Sequence, residues 1–192
     1  MRYDPLSKIA SRLAGAGAFY CEVGILIRSL RGIEPKIAPT AWVSEAAYVV
    51  GNVVIGEYSS VWPGVTIRGD GDVITIGNHV NIQEGSVVHG DGLVIEDYVS
   101  IGHCVVVHGD RIGTGSLLGN NSTFLTESTI GKECLIASNA VVLSNVDVPD
   151  RSFVAGVPGS VKRAVSEEQI EQMRMTAEHL VERAEWFKES GL

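Results

Sequence analysis

Three histidines lie close together near the middle of a chain of 192 residues: His89, His103 and His108. Three neutral imidazoles that leave one coordination position open are the ligand set of a catalytic zinc ion, which activates a water molecule. A single histidine in such a chain is more often structural. The group therefore predicts a metal site if the fold brings the three rings together.

A six-residue repeat carries these histidines. Aliphatic anchors recur every six positions through residues 37–67, 76–88, 95–107 and 112–154, and small residues tend to follow four positions later. Self-similarity with this step is typical of a hexapeptide-repeat β-solenoid, and the fold class predicted here is a left-handed parallel β-helix. A sandwich of short strands would show period-two alternation with irregularly spaced turns, so the six-residue step disfavours it.

The repeat determines where each histidine lies. Three six-residue units close one triangular coil of about eighteen residues. His89 and His108 each follow an anchor by one position at the end of the same side of consecutive coils, so they should be stacked neighbours. His103 follows Ile101 by two positions on another side. One chain therefore offers two ligands in one place and a third elsewhere, which predicts a trimer with the metal between subunits.

The three histidines stand within a set of short motifs. These are Arg68-Gly69-Asp70, Ile76-Gly77, Asn81-Ile82-Gln83-Glu84, His89, Ile101-Gly102-His103, Val107-His108-Gly109 and Gly156-Val157-Pro158-Gly159. From about residue 37 to the C-terminal helix, the chain resembles the γ-class carbonic anhydrase family in these motifs. The resemblance implies reversible hydration of CO2 to bicarbonate, with the three histidines binding Zn²⁺, or Fe²⁺ or Co²⁺ in some members, across a trimer interface.

Five further residues are candidates for a place in or beside the catalytic site. The resemblance implies that the Gln83 amide contacts bicarbonate or the water on the metal. Glu84 is the nearest acidic candidate for proton transfer, although an exposed turn glutamate is the commoner case, and Asp91 is a weaker candidate. Arg68 and Asp70 are interpreted as a pair that borders the site and fixes the register between subunits, in preference to direct catalysis.

Two departures from the family pattern lie near the predicted pocket. The chain reads Gly119-Asn120-Asn121-Ser122 where the family usually has Gly-Met-Gly-Ala. The loop between the first two histidines is also short and lacks the acidic insertion that carries the proton shuttle in active members. These differences bear on turnover more than on metal binding.

Two other functional classes stay open. The chain could be a structural γ-type subunit, in a homotrimer or a heterotrimer with related chains, docked on membrane-bound respiratory complex I. The run from Phe19 to Arg28 resembles the N-terminal segment of such mitochondrial subunits, which would place the protein at the matrix face of the inner membrane; the alternative is a prokaryotic cytoplasm. A hexapeptide acyltransferase is the third class, and the histidine set argues against it.

Composition and the two ends complete the prediction. A formal net charge of −8 argues against a nucleic-acid partner. Cys21, Cys104 and Cys134 have no metal-binding spacing, and Cys134 is expected to be a buried structural thiol. We predict a capping or docking segment with a short helix (1–36), the parallel β-helix (37–160) and a C-terminal helix (161–192).

That C-terminal helix should begin after a capping box formed by Ser166 and Gln169. An apolar stripe along it predicts packing against the coil or a neighbouring subunit. Its His179, and His79 in the repeat, are interpreted as ordinary surface histidines.

Overall fold

Short parallel strands, wound into successive triangular coils, make up most of the chain in a computed structural model that describes residues 26–192. Helix α1 spans Glu167–Glu189. The strands are β1 (Ile27–Arg28), β2 (Lys36–Ile37), β3 (Trp42–Val43), β4 (Tyr48–Ile55), β5 (Ser60–Val61), β6 (Thr66–Ile76), β7 (Asn81–Ile82), β8 (Val87–His89), β9 (Val94–Ile95), β10 (Ser100–Ile101), β11 (Val106–Val107), β12 (Arg111–Ile112), β13 (Leu117–Leu118), β14 (Thr123–Phe124), β15 (Thr129–Ile130), β16 (Leu135–Ile136), β17 (Val141–Val142), β18 (Asp147–Val148), β19 (Ser152–Ala155) and β20 (Ser160–Ala164).

Strand pairing defines three sides of the solenoid. We call the stack of β8, β11, β14 and β17 the histidine-pair side, and the stack of β9, β12, β15 and β18 the third side. Both stacks pair with the long strand β6, which turns the corner between them. The helix-covered side is a separate sheet of seven parallel strands, β3, β5, β7, β10, β13, β16 and β19.

The register of the strands follows the predicted repeat. On the helix-covered side Ile101 lies opposite Ile82 in one neighbouring coil and opposite Leu118 in the other, and all three side chains are fully buried. On the histidine-pair side Val107 lies between Val88 and Phe124 in the same way. The anchors therefore stack into one continuous interior column, and the predicted left-handed hexapeptide-repeat β-helix is confirmed.

Small residues fill the inner corners, as the spacing predicted. Ser59, Ser86 and Ser116 are buried, and each hydroxyl donates to a glycine carbonyl of the next coil at 2.7–2.8 Å. These bonds satisfy carbonyls that would otherwise be buried without a partner. Cys134 occupies an equivalent corner with no exposed surface, and this burial raises the pKa of its thiol, in agreement with a structural role.

Helix α1 packs on the helix-covered side. Its predicted capping box is present, because Ser166 accepts a bond from the Gln169 backbone and the Gln169 side chain reaches back to the backbone of Ser166. Near its C-terminal end the Phe187 ring lies 5.4 Å from Trp42 and 5.1 Å from Trp62, centroid to centroid. This aromatic cluster fixes where the helix crosses the coils. The buried residues of the helix are Met173, Ala177 and Ala184.

The two ends differ in part from the predicted boundaries. Ile27–Arg28 forms a strand paired with Val49–Val50, so sheet structure begins before residue 37, while residues 1–25 of the predicted helical segment lie outside the described residues. At the other end Ser160–Ala164 pairs antiparallel with β19, and the helix begins only after its cap. Within residues 26–192, no helix combines the length and apolar character needed to cross a bilayer.

Candidate metal centre

His89 and His108 lie next to each other on the histidine-pair side. His89 ends β8 and His108 directly follows β11, and these strands pair with Val88 opposite Val107. Each histidine follows a buried anchor by one position, so its ring points outward. The rings stack with centroids 4.9 Å apart and an interplanar angle of 17°. The predicted neighbour relation between these two histidines is therefore present.

The structure joins Arg68 and Asp70 to His89. Arg68 lies directly opposite His89 in the β6–β8 register. Asp70 Oδ1 is 2.9 Å from His89 Nε2, and Arg68 Nη2 is 3.2 Å from His89 Nδ1. The bond with His89, assisted by the nearby Arg68 charge, holds the pKa of Asp70 below its ordinary value. Both ring nitrogens of His89 thus have protein partners, and metal binding requires the ring to exchange one of them.

His103 lies on the helix-covered side, where Glu84 holds it. Glu84 follows β7, His103 follows β10, and these two strands pair. The carboxylate Oε2 of Glu84 is 2.8 Å from His103 Nδ1. A carboxylate on one imidazole nitrogen fixes the ring orientation and leaves the other nitrogen to bind metal. Asn120, one of the departures from the family pattern, accepts a bond from the His103 backbone N–H at 3.0 Å.

Gln83 faces a cleft between the coil and helix α1. Its amide donates to Asn81 Oδ1 at 3.1 Å, and Asn81 in turn donates to Ser100 Oγ at 2.7 Å, so a buried polar chain positions it. The cleft has a volume of about 340 Å³ and also contains Glu84 and His103. The remaining walls, which the sequence did not predict, are Trp62, His179, Leu180, Arg183 and Phe187. The apolar stripe of the helix was the available signal for Leu180 and Phe187.

The donors do not converge within one chain. Across residues 26–192, no group of three histidine, cysteine or acidic side chains is close enough to hold a metal ion. The donor types themselves fit zinc, since two imidazoles lie side by side and the third has a carboxylate partner. Asp91 lies against Gly71 and is not among the residues that line the cleft.

A glycine and a large anchor meet beneath His108. Gly109 follows His108, and a Cβ added to it would lie 2.2 Å from two ring carbons of Phe124. Phe124 is the anchor of the next coil and is 1% exposed. The glycine is therefore required there so that the ring can fill the interior.

Several proteins similar in sequence to this chain are named as carbonic anhydrases. One is a protein named "Probable carbonic anhydrase" from Methanocaldococcus jannaschii, 45% identical over 152 residues, which cover 78% of this chain and 96% of that protein. Another is a protein named "Carbonic anhydrase" from Geobacillus kaustophilus, 33% identical, with 85% and 91% covered.

A plant relative and a solved structure give the class and the fold. "Gamma carbonic anhydrase 2, mitochondrial" from Arabidopsis thaliana is 29% identical, and the match covers 79% of this chain and 58% of that protein. A crystal structure of a hexapeptide transferase family protein from Anaplasma phagocytophilum superposes with a TM-score of 0.82 at 28% identity, covering 85% of this chain and 98% of the other. No protein-family model matches the chain. With 45% identity across almost the full length of an archaeal relative, the chain belongs to the γ-class carbonic anhydrase family.

Proposed function

We propose that this protein interconverts CO2 and bicarbonate at a metal site built by three histidines across the interfaces of a trimer. The observation that carries the proposal is the division of the donors. His89 and His108 are stacked on one side of the solenoid, whereas His103 is held by Glu84 on another. A second copy of the chain supplies what each copy lacks, and a three-fold axis repeats the arrangement.

The outer surface of the histidine-pair side suits such a contact. Tyr48, Val87 and Val106 point outward there, and each is exposed to about 40%. They lie in one row alongside the stacked rings, with Thr66 between Tyr48 and Val87, because β4, β6, β8 and β11 pair in that order. We call this row, which is apolar apart from Thr66, the apolar strip. Burial of apolar strips of this kind stabilises subunit association.

Each site residue has a distinct task in this proposal. The three histidines bind Zn²⁺, and their nitrogens also suit Fe²⁺ or Co²⁺. Bound zinc lowers the pKa of its water ligand to about 7, a value known from carbonic anhydrase itself. Gln83 presents its amide to bicarbonate in the cleft, and Glu84 orients His103. The ion pair of Arg68 and Asp70 borders the site and fixes the register of the neighbouring chain.

A mixing experiment tests the division of the site between chains. Trimers made only of His103→Ala chains, or only of His89→Ala chains, should lose zinc and CO2 hydration while staying folded. When the two variants are co-expressed, each mixed trimer should regain one complete site, because one chain contributes His89 and His108 and its neighbour contributes His103. Zinc content and stopped-flow hydration of the mixed trimer measure this directly.

The control replaces His79, which lies outside the cleft, with alanine and should retain full zinc content. Zinc retained by the His103→Ala trimer would contradict the cross-chain site, and so would a mixture without recovered zinc. Zinc bound at full stoichiometry without CO2 hydration would leave the metal site standing and reject the enzymatic proposal. That result would favour the alternative function, a structural γ-type subunit.

The named relatives point to different locations for this protein. The Arabidopsis relative is named mitochondrial, whereas the relatives from Methanocaldococcus and Geobacillus are prokaryotic. The segment on which the complex I prediction depends lies mostly in residues 1–25, outside the described residues. We propose a homotrimer as the functional unit, because this one chain carries His89 and His108 on one side of the solenoid and His103 on another. Association with related γ-type chains is tested by co-purification with a respiratory membrane fraction.

A further inference from the structure

We infer that His179 of helix α1 carries protons between the metal site and solvent. This role rests on the proposed function, because hydration of CO2 releases one proton in each turnover. His179 lies far in sequence from the motifs that carry His89, His103 and His108.

His179 stands between the site and the surrounding solvent. It lines the 340 Å³ cleft together with Gln83, Glu84 and His103. It also lines an adjoining cleft of about 450 Å³ that contains Gln83 and the outer helix residue Met175. The side chain of His179 is 52% exposed. One ring therefore reaches both the inner cleft and bulk water.

Two charged neighbours on the helix contact the ring. Arg183 Nε donates to His179 Nε2 at 3.0 Å. Glu182 Oε2 lies 3.7 Å from Nδ1. An imidazole ring can accept a proton at one nitrogen and donate one from the other, which is the chemistry that a proton carrier needs.

The other ionisable groups of the cleft are already engaged. Across the cleft from the helix, Glu84 and His103 are bonded to each other. Arg183 donates to His179 and lies over the Trp186 ring. Glu84 was the sequence-based candidate for proton transfer, and its bond to a metal ligand suits it to orientation instead. Of the ionisable residues that line the inner cleft, His179 is the one that also lines the adjoining outer cleft.

A proton released from water in the cleft moves to His179 Nε2 once the ring gives up its bond to Arg183. The resulting imidazolium forms an ion pair with Glu182 on its Nδ1 side. A base in solution then removes the proton from Nε2, and Nε2 of the neutral ring accepts the Arg183 hydrogen bond again.

The test measures exchange of ¹⁸O between CO2 and water in the zinc-loaded trimer, which separates CO2 interconversion from the proton-dependent release of labelled water. In weakly buffered solution, His179→Ala should slow release of labelled water on the order of 100-fold, far more than it slows CO2 interconversion. Added imidazole buffer should restore release. His179→Gln should behave like the alanine variant, and His79→Ala should match the wild-type protein.

A second measurement is independent of activity. Loading the site with Co²⁺ should shift or broaden the NMR signals of the His179 ring and leave those of His79 unchanged. Unaltered His179 signals would overturn the assignment, as would normal water release in His179→Ala or a loss that imidazole does not restore. Absence of exchange in the wild-type protein would instead reject the proposed function, and the proton-transfer role with it.

Discussion

Two sides of the same coil carry the two halves of the candidate site, and they differ in what covers them. Within the described part of the chain no helix covers the histidine-pair side, and its stacked rings, its ion pair and its apolar strip face outward. The helix-covered side has α1 laid across it, and a cleft separates His103 from the helix. The repeat thus places candidate metal ligands on both sides, and helix α1 forms a cleft over only one of these sides, the helix-covered side.

This difference indicates separate tasks. An exposed strip with outward ligands is suited to a neighbouring subunit, because its apolar side chains gain by leaving water. A cleft with apolar walls and a positioned amide is suited to a small molecule such as CO2 or bicarbonate. Each subunit would then contribute the exposed pair His89 and His108 to one metal site, and His103 beside the cleft to the next metal site.

The largest effect is expected from a change in the interior that both sides share. Ile101→Asp would bury a carboxylate with no partner between Ile82 and Leu118. It should destabilise the solenoid by more than about 4 kcal/mol and abolish folding. Circular dichroism and urea unfolding measure this. Val106→Asp is the matched control in the same coil; because Val106 is 40% exposed, that chain should fold and lose trimer. A folded, soluble Ile101→Asp trimer would contradict the interior column.

Loss of the aromatic contact that holds helix α1 on the coil should affect only the helix-covered side. Phe187→Ala deletes the ring that packs on Trp42 and Trp62, and we expect a loss of about 3 kcal/mol. Thermal unfolding should show the loss, while sedimentation should still show a trimer because the Phe187 ring packs on Trp42 and Trp62 of its own chain. Trp186→Ala, on the exposed face of the same helix, should change stability little. Dissociation of the Phe187→Ala trimer would show that the two sides are not independent.

A change to the bond between Glu84 and His103 tests the part of the site that lies beside the cleft. Glu84→Gln removes the charge that orients the ring and should weaken Zn²⁺ binding by about 10-fold to 100-fold. Competition with a chromophoric chelator measures the affinity. The control Glu127→Gln replaces an exposed corner glutamate remote from the cleft residues. Equal affinities in the two variants would leave Glu84 without an orienting role.

The smallest effect belongs to the third side, which carries no part of the candidate site. Partial burial alone would raise the pKa of Glu96, but bonds from Thr114 and Arg111 outweigh it and hold the pKa below 4.5. Glu96 therefore contributes stability above that pH, and the contribution is lost as the pH falls through the lowered pKa. Glu96→Gln should cost about 1 kcal/mol at neutral pH. Urea unfolding of the two proteins should converge in acid, and a constant difference would contradict this pairing.

The sequence predicted the repetitive part of the molecule well, because the repeat is local. A six-residue step is enough to place Ile101 against its neighbours and to stack His89 on His108. The helix start was equally predictable, since Ser166 and Gln169 cap it through contacts three residues apart.

The parts that were not predicted depend on distant contacts. The cleft exists where it does because Phe187 meets two tryptophans more than a hundred positions earlier in the chain. An apolar stripe shows that a helix packs, but it does not say on which coil. The bond of Glu84 to His103 likewise depends on coil length, which varies where glycine corners shorten or lengthen a turn.

The close approach of Gly109 to Phe124 links the candidate site to the interior beneath it. Phe124 is a bulky anchor in a column of mostly aliphatic ones, and the residue that makes room for it is bonded directly to a proposed metal ligand. Swapping that ring for a leucine would open a void below the ligand and give the imidazole freedom to drift. Phe124, which is buried from solvent and is not a ligand of the proposed metal, can therefore influence the geometry of the metal site.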